Sequence, residues 1–336
     1  MKKLSIIIPT FQTPLWNAIF AWHFKTYGVP IDSEIIVVDN APEAKAIKVI
    51  TETSLGEGIK VINGNQNLTS HGEGYNLAYE ASDGDFVFCA ESDSYPTRYG
   101  WFDGYVKLSA DYAMVGPEMP MGAGKYVHPA GCAIRRDIIE AAKQWQNAHK
   151  DWMFCPGCAP VLGLNDKGYH VVAHEDWLAL RDEIVKRQVL AAAQPFFGTG
   201  PFQEMRSFDP DDSFDTYMQR TTIDHFEPDG GRKYFLRIGY ESGQWLHYFA
   251  RHKGFKIFEI VPEIKWMEDR VGCQAAYSTI LGGFTHIWGG SVTSIPSGID
   301  PVVRAHKQQQ ALDWFAKLPV DIQKEVNDVR EKYKLP

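Results

Sequence analysis

Asp85-Phe86-Val87-Phe88-Cys89-Ala90-Glu91-Ser92-Asp93 decides the fold: an apolar run of strand length that stops abruptly on acids and a hydroxyl. A run that is apolar at successive positions, not at alternate ones, belongs to a strand buried on both faces, as in a sheet covered by helices on either side. Two earlier runs have the same form. Leu4-Ser5-Ile6-Ile7-Ile8 leads into Pro9-Thr10, and Glu34-Ile35-Ile36-Val37-Val38 leads into Asp39-Asn40. Helix-compatible stretches separate them: Pro14 to Tyr27, which opens on proline and closes at Gly28, a stretch from Glu43 toward the strand Lys60-Val61-Ile62, and Gly74 to Ser82. Strands alternating with helices predict an α/β fold. In open sheets of this class ligands bind beyond the carboxyl ends of the strands, so Asp39 and the Glu91 to Asp93 segment are expected to converge on one site.

Farther along, from about Asp151 to Tyr234, the pattern gives way to aromatic, Gly/Pro-punctuated sequence with one helix expected over Trp177 to Ala193. It resumes in a helix-like segment from Ile238, a strand over Phe255 to Ile260, and a stretch containing Thr285-His286-Ile287-Trp288-Gly289-Gly290-Ser291. The tail from Pro301 reads as two amphipathic helices split at Pro319. The expected organisation is a first half over 1–140, an insertion over 141–235, a second half over 236–300 and a helical tail over 301–336.

Composition narrows the function classes. The 336 residues are 44% hydrophobic and 23% charged, ordinary values for a folded chain, with a formal net charge of −8 that disfavours a nucleic-acid partner. No apolar stretch is long enough to span a bilayer, and the amino terminus has no signal-peptide core. The five cysteines, Cys89, Cys132, Cys155, Cys158 and Cys273, are odd in number and scattered, which points to a reducing cytoplasm. Cys155-Pro156-Gly157-Cys158 has metal spacing but no second pair, so free thiols are the expectation. Trp314, Phe315 and Leu318 in the tail suit either a peripheral membrane contact or packing on the main domain, and their mixed-charge surroundings favour packing.

Glu91 and Asp93 are the first candidates for chemistry. Five acid pairs occur at this spacing, Asp32/Glu34, Asp83/Asp85, Glu91/Asp93, Asp209/Asp211 and Glu227/Asp229, about the number chance supplies in a chain with one acid in eight residues. Spacing alone is therefore uninformative. The strand-end position singles out Glu91/Asp93, whose hard oxygen ligands suit Mg²⁺ or Mn²⁺. Asn67-Leu68-Thr69-Ser70-His71-Gly72-Glu73-Gly74-Tyr75-Asn76 is a glycine-containing turn into a helix, able to let backbone approach an anion, but it is neither a dinucleotide fingerprint nor a Walker motif.

Taken in order, Ser5 to Thr10, Glu34 to Asn40, Asn67 to Asn76 and Gly84 to Asp93 resemble the amino-terminal half of family 2 glycosyltransferases of the GT-A fold. Gly131-Cys132-Ala133-Ile134-Arg135-Arg136 is similar to that family's small-residue strand leading to a basic pair. Gly239-Tyr240-Glu241, with the helix to Arg251 and then Gly254 to Ile257, resembles its acidic catalytic segment. The resemblance covers about residues 3–140 and 236–291. It implies a Rossmann-like mixed sheet with helices on both faces, and inverting transfer of a sugar from a nucleotide diphosphate sugar to a hydroxyl of a glycan, lipid-linked or protein-linked acceptor.

By that resemblance Pro9, Thr10 and Asp39 hold the base and ribose, Asn67, Gly74 and Asn76 shape the nucleotide pocket, and Ser92 joins Asp93 at the donor. Glu91, Asp93 and His286 hold Mn²⁺ or Mg²⁺ on the diphosphate, and Gly131, Cys132 and Arg135 face the sugar or acceptor. Glu241 is the expected carboxylate base, with Asp176 a lesser candidate; Ser242 departs from the Glu-Asp pair usual in the family. A non-catalytic sugar-nucleotide or glycan-binding module of the same fold is the alternative.

Overall fold

The computed structural model describes residues 4–30, 32–41, 44–64, 71–118, 127–147, 161–162, 170–171, 222–226, 233–237, 244–261, 263–266, 276–287 and 301–336. The strands are β1 (Leu4–Thr10), β2 (Ser33–Asp39), β3 (Ile59–Asn63), β4 (Phe86–Cys89), β5 (Ser94–Pro96), β6 (Met114–Pro117), β7 (Cys132–Arg135), β8 (Val161–Leu162), β9 (His170–Val171), β10 (Thr222–Phe226), β11 (Lys233–Arg237), β12 (Ile257–Ile260), β13 (Glu263–Trp266), β14 (Ala276–Ile280) and β15 (Phe284–His286). The helices are α1 (Pro14–Tyr27), α2 (Lys48–Thr51), α3 (His71–Glu80), α4 (Asp103–Leu108), α5 (Arg136–Asn147), α6 (Gln244–His252), α7 (Pro301–Phe315) and α8 (Val320–Tyr333).

Seven strands form the central sheet in the order β12-β6-β7-β4-β1-β2-β3. β1 runs parallel to β2 and β4, β2 to β3, and β12 to β6, whereas β7 is antiparallel to both β4 and β6. This is the mixed α/β sheet that the resemblance implied. Burial explains the unbroken apolar runs. Along β1, Ile6 and Ile8 join one hydrophobic cluster with Phe20, Phe24 and Phe88, while Ile7 joins a second with Val87, Tyr75 and Leu246 on the opposite face. β1 is thus covered on both faces, which favours apolar side chains at successive positions.

α1 is buried over most of its circumference, with Trp16, Ile19, Phe20 and Phe24 nearly inaccessible. The tail helices account for that burial. Ala311, Phe315, Leu318, Val326 and Val329 belong to the same cluster as α1, so the tail packs onto the main domain as the mixed charge favoured. The expected split falls in place, with Pro319 as the N-cap of α8. The stretch after Glu43 is less helical than expected: α2 is a single short turn, and Gly56 and Gly58 then break the chain before β3. Gly58 adopts φ +77°, a left-handed conformation that ends helical propagation.

Two smaller sheets complete the described residues. β10-β11-β8-β9 falls mostly in the span 141–235, with the end of β11 running past it, and β13-β14-β15-β5 is antiparallel throughout. The second matters for function because β5 follows directly from the Glu91 to Asp93 turn. The helix expected over Trp177 to Ala193 lies outside the described residues.

Candidate metal and nucleotide site

The end of β4 turns sharply. Ser94 N–H donates to the Glu91 carbonyl at 2.9 Å, the Ser94 hydroxyl donates to the same carbonyl at 2.9 Å, and Glu91 N–H donates to Ser94 Oγ at 2.6 Å. This local closure fixes the backbone between the two acids and turns the chain into β5. β15 then pairs antiparallel with β5, setting His286 opposite Ser94, and Ile287 N–H donates to the Asp93 carbonyl at 2.9 Å. The register delivers the imidazole to the carboxylates. His286 Nε2 lies 3.2 Å from Glu91 Oε2 and 3.5 Å from Asp93 Oδ1, and one ligand atom from each of the three residues falls within 4.8 Å of the others.

Burial pushes the His286 imidazole toward its neutral form, but the Asp93 charge and the hydrogen bonds to Asp93 and Glu91 outweigh it and raise its pKa to about 9. Without a cation the cluster is therefore held together by an imidazolium. Two hard carboxylates with one imidazole are a donor set suited to Mn²⁺ or Mg²⁺, and a divalent ion there would take the place of that proton. Asp93 and His286 are buried and Glu91 is half-buried, which leaves the cluster open on the Glu91 side.

His128 joins the cluster and escaped the sequence reading. Its ring stacks on His286 at 5.4 Å between centroids, and its Nε2 lies 3.9 Å from Glu91 Oε1. Nδ1 accepts from Ala130 N–H at 3.1 Å, so Nε2 carries the proton that faces the carboxylate. The available signal was topological. Because β7 is antiparallel to β4 with Cys132 opposite Cys89, residues just before Cys132 lie alongside residues just after Cys89.

At the neighbouring strand tips, Thr10 is opposite Asp39. The Asp39 side chain is fully buried; Oδ1 accepts from Ala41 N–H at 2.9 Å, while Oδ2 has no hydrogen-bond partner among the described residues. Burial raises its pKa to about 6, against the opposing pull of the Ala41 and Ile47 amides. An orphaned buried carboxylate oxygen at a strand tip is a ready acceptor for a ligand N–H or O–H.

Several expected contacts are engaged inside the protein. Thr10 Oγ1 donates to Asn17 Oδ1 at 2.5 Å and pairs with Thr13 Oγ1 at 2.9 Å, and Thr13 Oγ1 donates to Ser92 Oγ at 3.4 Å. This hydroxyl chain ties the β1 loop to the metal turn. Gly74 is needed for packing: a Cβ there would sit 2.7 Å from Asn40 Oδ1 and 2.8 Å from Pro9 Cβ, so only glycine lets α3 lie against β1 and β2. Asn76 follows on α3, half-buried. Gly131, at φ +95°, makes the turn into β7, and its N–H donates to the Cys89 carbonyl at 2.9 Å.

Two expected sugar contacts are not brought to the cluster. Cys132 is fully buried against Cys89, both thiols free and both pushed upward in pKa by burial. Arg135 pairs with Phe86 at the opposite end of β4 and is held by Asp137 through two hydrogen bonds of 2.7 Å. Asn67, Asp176 and Glu241, like Cys155 and Cys158, lie outside the described residues.

Residues 5–143 match the family profile described as Glycosyl transferase family 2. This segment resembles a family 2 glycosyltransferase domain. No curated protein sequence matches the chain. Among solved structures, it is similar to S. aureus TarS 1-349, at 16% identity and a TM-score of 0.36 over 42% of this chain and 49% of that one. It is also similar to the mannosyltransferase PcManGT from Pyrobaculum calidifontis in complex with GDP-Man and Mn²⁺, at 17% identity and a TM-score of 0.36 over 42% of this chain and 46% of that one. The match thus spans under half the length of each of these structures. The cluster residues Glu91 and Asp93 and the orphaned Asp39 oxygen fall inside the family 2 segment, while His286 comes from beyond it.

Proposed function

We propose that the chain is an inverting glycosyltransferase that moves a sugar from a nucleotide diphosphate sugar to a hydroxyl-bearing acceptor, a glycan or a lipid-linked or protein-linked group. The observation that carries this reading is the convergence of Glu91, Asp93 and His286 beside a family 2 strand tip. A divalent cation held there, Mn²⁺ or Mg²⁺, would stabilise the negative charge that builds on the leaving diphosphate. The chain's own residues supply the rest. Asp39 accepts from the base or ribose through its unpartnered Oδ2, and the Thr10–Thr13–Ser92 hydroxyl chain keeps the nucleotide loop and the metal turn in fixed relation. Asn67 and Asn76 border the nucleotide.

Glu241 is the base in this proposal. Its carboxylate takes the acceptor hydroxyl proton as the oxygen attacks the anomeric carbon from the face opposite the diphosphate. Residues 1–140 form the donor half, 236–300 the second half, and 141–235 a lobe for the acceptor. The reducing cytoplasm, where nucleotide sugars are made, is the compartment we assign. Among the described residues no helix is long and apolar enough to cross a membrane.

The test is release of nucleotide diphosphate from a panel of nucleotide sugars with Mn²⁺. Glu241→Gln is expected to abolish turnover with donor binding nearly intact. The non-catalytic reading, which Ser242 favours, predicts donor or glycan binding with no turnover from any member of the panel.

A further inference from the structure

The turn that carries His128 is pinned by its backbone. Val127 N–H donates to Nδ1 of the fully buried His247 at 3.2 Å, His128 N–H to the Pro117 carbonyl at 2.8 Å, and Gly131 N–H to the Cys89 carbonyl at 2.9 Å. The buried Tyr105 hydroxyl donates to the Gly131 carbonyl at 2.7 Å. Glycine is needed beside this turn, because a Cβ at Gly116 would sit 2.5 Å from Val127 Cγ1. The place of His128 next to the metal cluster is therefore set by the fold around it, independently of the acids it faces.

The two nitrogens of its buried ring have different tasks. Nδ1 accepts from Ala130 N–H at 3.1 Å, which puts the proton of the neutral ring on Nε2. Nε2 faces Glu91 Oε1 at 3.9 Å, while the other carboxylate oxygen, Oε2, lies 3.2 Å from His286 Nε2. Glu91 thus has an imidazole beside each oxygen. It is also the member of the cluster most in need of support: its side chain is 19% exposed, against 5% for Asp93 and 3% for His286. A partly exposed glutamate gives up rotamer freedom when it binds an ion, and a contact that orders it beforehand lowers that cost. Packing alone does not call for histidine, since a phenylalanine ring could stack on His286 in the same way.

We propose that His128 is a positioning residue for the metal, its Nε2–H holding Glu91 Oε1 so that Oε2 is presented to the ion. A small rotation of the Glu91 side chain brings Oε1 from 3.9 Å into hydrogen-bond range. The role rests on the reading of Glu91, Asp93 and His286 as a metal site, and it differs from theirs. With Nδ1 accepting from Ala130 and Nε2 protonated, His128 supports a ligand and is not one itself.

The experiment is calorimetric Mn²⁺ titration of the full chain without nucleotide, together with the visible absorption of the Co²⁺-loaded chain and the thermal midpoint without metal. His128→Phe keeps a ring on His286 and loses the N–H, whereas His128→Gln places an amide N–H near the position of Nε2. His128→Phe should bind Mn²⁺ about tenfold or more weakly and change the Co²⁺ spectrum, and His128→Gln should restore both, with metal-free midpoints close to that of the wild type. Wild-type affinity and spectrum in His128→Phe overturn the proposal. So does a loss in His128→Gln as large as that in His128→Phe, which marks the ring as packing only. If His128→Phe does not fold, His128→Gln and His128→Asn decide, because the shorter asparagine amide stops short of Glu91: weaker Mn²⁺ binding by the asparagine variant alone supports the role, and equal affinity overturns it. A wild type that binds no Mn²⁺ overturns the metal site itself and this role with it.

Discussion

His286 Nε2 lies 3.2 Å from Glu91 Oε2 because β15 pairs with β5 in a register that sets His286 opposite Ser94. The contact joins the interior of the matched segment, residues 5–143, to a strand far downstream, and the three-residue cluster exists only when that small antiparallel sheet has formed. The first prediction follows directly. Asp93→Ala should weaken Mn²⁺ binding on the order of 100-fold or more, and His286→Ala by about tenfold or more, since replacing a ligand should cost at least as much as disturbing its supporting shell. Calorimetric Mn²⁺ titration of the variants checks this.

Asp39 gives a pH dependence with a definite sign. Its folded pKa of about 6 is raised above the ordinary aspartate value of 3.8, so the folded state holds the proton more tightly. That contribution to stability is fully present below the unfolded pKa and is lost as pH rises through the folded one, a change of up to about 3 kcal/mol. Asp39→Asn, which keeps an acceptor for Ala41 N–H, should therefore be more stable than the wild type at pH 7.5 and no more stable at pH 3.5. Denaturant titrations at the two pH values measure the difference. Nucleotide binding by the wild type should tighten as pH rises through 6, and the asparagine variant should show no such dependence.

Gly74 is a packing residue. Gly74→Ala places a methyl 2.7 Å from Asn40 Oδ1 and 2.8 Å from Pro9 Cβ, all parts of the strand tips beside Asp39. Overpacking of this kind should cost about 1–3 kcal/mol in urea unfolding, and nucleotide affinity should fall with it.

The tail belongs to the same folding unit as the sheet. Phe315 is 5% exposed within the cluster that contains α1, so Phe315→Ala should destabilise the protein by about 3 kcal/mol or more. The variant should also unfold in a single transition by tryptophan fluorescence and far-ultraviolet circular dichroism, at a lower midpoint.

Some of this was legible in the residues alone. Ile6 to Ile8, Ile35 to Val38 and Phe86 to Cys89 are apolar at every position because helices cover both faces, and their polar ends marked Asp39, Glu91 and Asp93. Direction was not legible. Cys132–Arg135 is four residues long, and an apolar run reads the same forwards and backwards, so nothing announced that β7 reverses against β4. That reversal brings His128 to Glu91 and carries Arg135 to the far edge. A glycine admitting a ligand and a glycine admitting Asn40 look identical in sequence, so the close approach of Gly74 to Asn40 is visible only in the fold. The position of His286 rests on a strand register between distant segments, which only the resemblance to family 2 glycosyltransferases hinted at.

The most direct test of the central claim is a thermal-stability panel of the full chain with UDP, dTDP, GDP and CDP, each with and without Mn²⁺. A ligand at about 100 times its dissociation constant adds roughly 2.7 kcal/mol, a readily visible shift. The account predicts that one nucleotide stabilises the wild type only when Mn²⁺ is present and fails to do so in Asp93→Ala. Equal stabilisation with and without the metal, or no shift with any of the four, would contradict it.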